Sequence, residues 1–227
     1  MSLVSVIIPT LDEAAVVSRT LDQFDRLPGE WQIIVADSGS SDGTQAIARA
    51  HGACLVNGPR GRGAGMNAGA AVATGDILLF LHADTFLPED AHQQITAALA
   101  DPAVAATAFH LTMDGPGRRY RLMPYISSIR MRVQRTFFGD QAIAVRRADF
   151  ERIGGYEEPF LMEDVALSRR LRREGKLRVL GAHVVTSSRR FEHGGMIRTL
   201  VLMTCMQAAY SLGVSADRLA RIYRHVR

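Results

Sequence analysis

Within the first ninety residues, apolar runs rich in β-branched side chains take turns with helix-forming stretches, and this alternation limits the fold more than any other feature of the chain. Residues 3–9 read as a strand and 12–24 as a helix; 31–36 and 42–50 repeat the pattern, as do 53–57 and 63–73. A fourth run, 76–81, is almost continuously apolar, as expected of a strand buried on both faces of a parallel sheet. Strand and helix in strict alternation predict an α/β fold, doubly wound around a mostly parallel central sheet. Beyond residue 100 the order loosens. Strands are expected at 104–113, 141–145 and 177–186, a strongly basic helix or loop at 117–136, a helix opening at Glu163, and terminal helices at 195–212 and 215–226. With no internal repeat or linker, the economical division is one domain over 1–190 and C-terminal helices over 191–227 packed on it.

In open α/β sheets, ligands bind beyond the carboxyl ends of the strands. Those positions hold Thr10, Asp12 and Glu13 after the first strand, Asp37 and Ser38 after the second, and His82 and Asp84 after the fourth. Turn and cap chemistry accounts for Asp42 and Ser41. It explains Asp37 less well, because Asp37 precedes the turn. A strand-tip carboxylate such as Asp84 suits Mg²⁺ or Mn²⁺, which favour oxygen ligands and share coordination with phosphates. The segment from Gly58 to Gly69 places Arg60 and Arg62 in a glycine-rich loop ahead of a helix, an arrangement suited to phosphate contact. Gly63, Gly65 and Ala68 also match a dinucleotide fingerprint, with Asp84 about 20 residues on. That motif belongs in the first strand-to-helix turn, so an NAD-dependent oxidoreductase stands as the weaker alternative. A third constellation is Gly154-Gly155-Tyr156, then Glu163-Asp164, then the arginines from Arg169 to Arg173, where helix-end electrostatics explain the charges but not the paired carboxylates.

Charge is distributed unevenly. The first hundred residues hold 5 Arg against 11 acids, and the remainder holds 22 basic against 12 acidic side chains, all the basic ones Arg except Lys176. Arginine's planar fork suits phosphorylated or anionic partners. Two cysteines, Cys54 and Cys205, form no metal or disulfide pattern and read as buried small hydrophobes of a reducing compartment. With no cleavable leader in the N-terminal run, a cytoplasmic location is expected.

Four ordered motifs then carry a resemblance: Ser5-Val-Ile-Ile-Pro-Thr-Leu-Asp-Glu13, Ala36-Asp37-Ser-Gly-Ser-Ser-Asp-Gly-Thr44, Leu81-His-Ala-Asp84, and Gly154-Gly-Tyr followed by Glu163-Asp164. Together they resemble family 2 glycosyltransferases of the GT-A fold, over residues 3–190, in particular a bacterial branch with Leu81-His-Ala-Asp-Thr85, Phe138-Gly-Asp-Gln141 and Thr186-Ser-Ser-Arg-Arg190. The resemblance implies an inverting transfer from a nucleotide-diphosphate sugar, UDP by family frequency, to a hydroxyl acceptor, with Mg²⁺ or Mn²⁺ as cofactor. Pro9, Thr10, Glu13 and Asp37 would line the nucleotide pocket, with Arg60, Arg62, Asn67, Asp84, Arg189 and Arg190 also touching the donor. Asp84 would hold the metal, helped by His193, while His82 replaces the first acid of the family's DxD pattern. Asp164 would be the general base beside Glu163, and Asp140 and Gln141 would face the acceptor.

The segment 118–147, with 8 Arg and one acid, is expected to lie on an anionic membrane surface, to guide a lipid-linked acceptor, or to be a half-buried helix with a solvated basic face. The apolar face of 195–212 could cover the sheet, meet a second subunit in a homodimer, or rest on lipid. No nucleic-acid partner is expected. A nucleotide-sugar binder without catalysis would keep Asp37 and not need Asp164. A sugar nucleotidylyltransferase would need a glycine-rich basic first loop, which this chain lacks.

Overall fold

A computed structural model describes residues 2–117, 120–157, 161–189, 192 and 195–226. One eight-stranded sheet organises them, ordered β3-β2-β1-β4-β7-β6-β8-β5. Its strands are β1 (Val4–Thr10), β2 (Trp31–Asp37), β3 (Cys54–Asn57), β4 (Ile77–Phe80), β5 (Thr85–Phe86), β6 (Val104–Met113), β7 (Ile143–Arg146) and β8 (Lys176–Thr186). β7 runs against both β4 and β6, and β5 runs against β8; the other neighbours are parallel. The doubly wound, mostly parallel sheet is therefore as the alternation predicted.

Helices cover both faces: α1 (Ala14–Asp22), α2 (Thr44–Ala50), α3 (Arg62–Ala71), α4 (Ala91–Leu99), α5 (Met123–Gln134), α6 (Arg147–Arg152), α7 (Glu163–Glu174), α8 (Met196–Ser211) and α9 (Ala216–Val226). Alternation of side chains along each strand splits the core in two. Val6, Ile8, Val35 and Leu79 pack with Val17, Leu21, Ile95 and Phe109 on one face. Ile7, Ile34, Leu78 and Phe80 pack with Met66, Phe150 and Leu167 on the other. Because each face has its own core, β4 reads as an unbroken apolar run and β1 as one broken by Ser5. Among the described residues no helix is long and apolar enough to cross a membrane.

Several expectations shift in detail. The helix expected from 42 begins at Thr44, because Asp42 is spent as a brace: its Oδ1 accepts the Thr44 amide at 3.0 Å and its Oδ2 the Ala14 amide at 2.9 Å, tying the starts of α1 and α2 together. Both cysteines are exposed, not buried. Cys54 lies on β3, the edge strand, and Cys205 on the outward side of α8. Helix α4 escaped the sequence reading because His92 stands on its buried face, its Nε2 3.0 Å from the Ser2 carbonyl and its ring edge-on to Trp31. The brief β5 and α6 are too short for a periodic signal.

Helix α3 lies close on the sheet where Gly69 crosses β1. A Cβ there would come within 2.6 Å of Ile7 Cγ2, a stiff branched carbon in a side chain with no exposure. Gly69→Ala gains about 1 kcal/mol of helix propensity but overpacks a closed core at a cost of about 1–3 kcal/mol. The expected net result is a melting temperature lower by roughly 2–4 °C, checked by calorimetry; an unchanged or higher value would show that the contact relaxes freely.

Candidate active site

The registers Thr10↔Asp37↔Asn57 and Met113↔Thr186 bring the carboxyl ends of the parallel strands to one edge. Because β7 runs the other way, its start delivers Gly139 and Asp140 to the same edge. At the β1–β2 end the loops are laced together. Asp37 has no exposure and accepts hydrogen bonds from the Thr10 hydroxyl at 2.9 Å, the Gly39 and Ser40 amides at 3.1 and 2.9 Å, the Gln45 side chain at 2.7 Å and the Ser40 hydroxyl. Burial opposes its ionisation, but these donors outweigh burial and hold its pKa below the ordinary aspartate value. Asp12 adopts a left-handed backbone with φ of 55° and accepts the Ser41 amide at 2.8 Å, which fixes the loop after β1 against the loop after β2.

At the other end of the edge, Met162 takes a left-handed conformation with φ of 66° and turns the chain into α7, so that Glu163 and Asp164 occupy its first turn. Glu163 is 2% exposed. Its Oε1 lies 2.5 Å from Arg62 Nε, at the start of α3, while its Oε2 is buried without a hydrogen-bond partner among the described residues. Burial raises the Glu163 pKa, the Arg62 charge pulls it down, and Asp164 pushes it up; the net direction is upward. Arg62 reaches further, its NH1 3.1 Å from His82 Nε2. Asp164 turns the other way: its Oδ2 accepts the Gly139 amide at 2.7 Å and its Oδ1 the Val165 amide at 2.7 Å. At position 139 a Cβ would sit 2.9 Å from His82 Nε2, so a larger residue there would displace the histidine.

Between these groups lies a cavity of about 190 Å³. Arg62, His82, Asp84, Asp140 and Asp164 line its polar side; Met113, Leu161, Met162, Met203 and Met206 line the apolar side. Asp84 is approached by Thr186 Oγ1 at 3.5 Å and by Arg189 NH2 at 3.4 Å, and the same guanidinium nitrogen lies 3.4 Å from Glu13 Oε2. Arg189 thus bridges two carboxylates. Burial pushes the Glu13 pKa up, partly offset by Arg189.

Of the residues expected from the sequence, Arg62, Asp84, Asp140 and Asp164 meet in the cavity, with Glu163, Glu13 and Arg189 directly behind them. Pro9, Thr10 and Asp37 stand at the β1–β2 end, where Thr10 and Asp37 are bonded to each other. Arg60 is exposed on the loop before α3. Besides buried Thr10 and Asp37, the structure puts Asn67 and Gln141, also expected to bind, to internal use. Asn67 exchanges two 2.8 Å hydrogen bonds with the Tyr156 backbone, and buried Gln141 accepts the Phe138 amide at 2.9 Å and donates to Ser127 Oγ at 3.3 Å. Each side chain supports a turn beside the cavity. Arg190 and His193 lie outside the described residues. The methionine wall was missed: Met203 and Met206, one turn apart on α8, are indistinguishable in sequence from core residues.

Among the described residues no three His, Cys, Asp or Glu side chains converge as a metal cage. The donor set is Asp84, with Glu13 across Arg189. A single carboxylate beside open space fits Mg²⁺ or Mn²⁺ bound jointly by protein and substrate phosphates, the usual mode for such ions.

The fold class is that of the GT-A glycosyltransferases. A mannosyltransferase from Pyrobaculum calidifontis, solved with GDP-Man and Mn²⁺, superposes with a TM-score of 0.60 at 24% identity, covering 80% of this chain and 56% of its own. Glucosyl-3-phosphoglycerate synthase from Mycobacterium tuberculosis, solved with Mn²⁺, UDP and glucosyl-3-phosphoglycerate, gives 0.57 at 21% identity over 82% and 70%. Residues 5–154 match the model of glycosyl transferase family 2, and the chain belongs to that family. The match overturns the oxidoreductase alternative: Gly63, Gly65 and Ala68 follow the third strand, and their small side chains bring α3 close to the sheet and to the Tyr156 turn. Validoxylamine A glucosyltransferase of Streptomyces hygroscopicus subsp. limoneus is 26% identical over 76% of this chain and 48% of its own. The chain spans about half the length of that relative.

Replacing Arg62 by methionine would leave Glu163 as an uncompensated buried charge. The expected loss is about 3 kcal/mol, the low end for a broken buried pair, since the Arg62 side chain is 42% exposed. A carboxyl with a raised folded pKa stabilises the fold below its ordinary value, and that contribution is lost as pH rises through the folded value. Removing Arg62 raises the folded value further. The deficit of Arg62→Met against wild type should therefore be smallest in acid and widen as pH rises, as read by denaturant titration; a constant deficit would separate Glu163 from the effect.

Proposed function

We propose that this chain is a metal-dependent, inverting glycosyltransferase that moves a sugar from a nucleotide-diphosphate donor, UDP-linked, to a hydroxyl acceptor. The observation that carries the reading is that Asp84 and Asp164 face one cavity, with Asp164 held by the Gly139 amide. Residues 191–227 are read as part of the same unit because Met203, Met206 and Gln207 of α8 line that cavity.

The donor lies along the carboxyl edge, its nucleoside at the β1–β2 loops and its diphosphate near Asp84. The Thr10–Asp37 network forms a rigid floor there, and either a backbone group of the loop or an exchange of one Asp37 donor makes the base or ribose contact. Asp84 would hold a divalent ion, which when bound would supply positive charge to the departing diphosphate. Arg189, released from Asp84, is within reach of the same charge. Asp164 accepts the proton of the acceptor hydroxyl as its oxygen attacks the anomeric carbon from the face opposite the leaving group. Two of its lone pairs are taken by amides, which fixes the carboxylate and leaves the others for the acceptor. The acceptor enters against Met113, Met203 and Met206, so its body is apolar where it meets the protein.

Asp164→Asn is expected to keep the fold and nucleotide binding while lowering transfer by roughly 10²- to 10⁴-fold, the contribution of a positioned base. Asp84→Ala is expected to abolish the Mn²⁺ dependence of UDP binding. Thermal shift against UDP, GDP and NAD with and without Mn²⁺, followed by turnover of a nucleotide-sugar panel, checks both. Near-normal turnover by Asp164→Asn, or stabilisation by NAD alone, would overturn the assignment.

A further inference from the structure

Helix α5 is built with its apolar side outward. Its inner face, Met123, Ser127 and Met131, is buried against the sheet. Yet Leu122, Tyr125, Ile126, Ile129 and Val133, spaced at three and four residues along the opposite face, are 58%, 70%, 40%, 62% and 77% exposed. Such a stripe of large apolar side chains is unusual on a water-facing surface, where hydrophobic residues are normally scattered singly.

The surroundings of this stripe are positively charged. Residues 115–139 contain six Arg and no acid. Alongside α5, Arg132, Arg135, Arg172 and Lys176 line a hollow of about 570 Å³ with no acidic residue among its lining. An apolar helix face with cations at its flank matches the chemistry of an interface between water and anionic lipid, where the apolar side enters the acyl boundary and the cations meet phosphates. A second copy of this chain docking through the same stripe would bring arginines against arginines, a like-charge juxtaposition that disfavours the pairing. Nucleic acid would leave the aliphatic stripe in water.

We infer that α5 and its basic hollow form a docking surface for an anionic membrane, with the helix lying in the plane of the interface. Gly139 and Asp140, which line the catalytic cavity, follow α5 by a few residues, so a bilayer held there lies close to the cavity mouth. The docking does not depend on the transferase reading.

The test is sedimentation of the whole chain with vesicles of phosphatidylcholine alone and of phosphatidylcholine containing phosphatidylglycerol. Binding is expected only to the second, weakening with salt. Ile129→Glu combined with Val133→Glu should reduce it at least tenfold, and Arg132→Glu with Lys176→Glu about fivefold per charge removed. Circular dichroism and the thermal shift with UDP should stay as in wild type for these outward-facing variants. Equal binding to both vesicle types, or none to either, would overturn the inference. So would light scattering that shows a dimer dissolved by Ile129→Glu with vesicle binding untouched. Loss of transfer in Asp164→Asn with vesicle binding intact would confirm that the two proposals stand or fall separately.

Discussion

The Arg62–Glu163 pair is the contact on which the geometry of the cavity rests. It joins the start of α3, which follows the third strand, to the start of α7, a hundred residues further along the chain. One end of the pair is almost fully buried, so the charge on Glu163 requires Arg62 beside it. Arg62 in turn touches His82, and His82 crowds Gly139, whose amide holds Asp164. Four segments thus meet through one guanidinium. The left-handed turn at Met162 is a local strain that this convergence sustains, of the kind found where a site has to be held in a particular shape.

This arrangement recasts the departure at position 82. Where the resemblance leads to the expectation of a first acid, this chain has a histidine whose Nε2 lies 3.1 Å from Arg62 NH1. His82 therefore bonds to Arg62 at the start of α3 and packs beside the Gly139 turn, and on the proposed reading the metal would rest on Asp84. The bridge from Arg189 shows the same economy at the other side: one guanidinium nitrogen lies 3.4 Å from both Glu13 and Asp84.

The sheet was legible because β1, β2 and β4 are largely buried on both faces, so their sequences carry a mostly apolar signal broken only by Ser5 and Gln32 within the strands, and because strand-end polar residues in an α/β fold collect at a single edge. Asp84 followed from that rule and Asp164 from the motifs, and both line the cavity. What the sequence hid was mostly the product of tertiary contact. Asn67 and Gln141 are polar residues in a motif-rich neighbourhood, and nothing local distinguishes a side chain that holds a turn from one that holds a ligand. His92 broke the apolar stripe of α4 while packing inside the core. The outward face of α5 was visible as basic and apolar residues interleaved, but only the placement of Met123 and Met131 against the sheet shows which side faces out.

The methionine wall stands apart from the rest of the cavity in one further respect. The family match ends at residue 154, whereas Asp164, Thr186, Met203 and Met206 come after it. The cavity therefore joins the stretch matched by the family model to residues that follow it. Unbranched, adaptable methionines on the second side can be exchanged for other shapes without disturbing the Thr10–Asp37 network on the first. On the proposed reading, the apolar wall that meets the acceptor can change shape while the Thr10–Asp37 network at the donor's nucleoside end is kept.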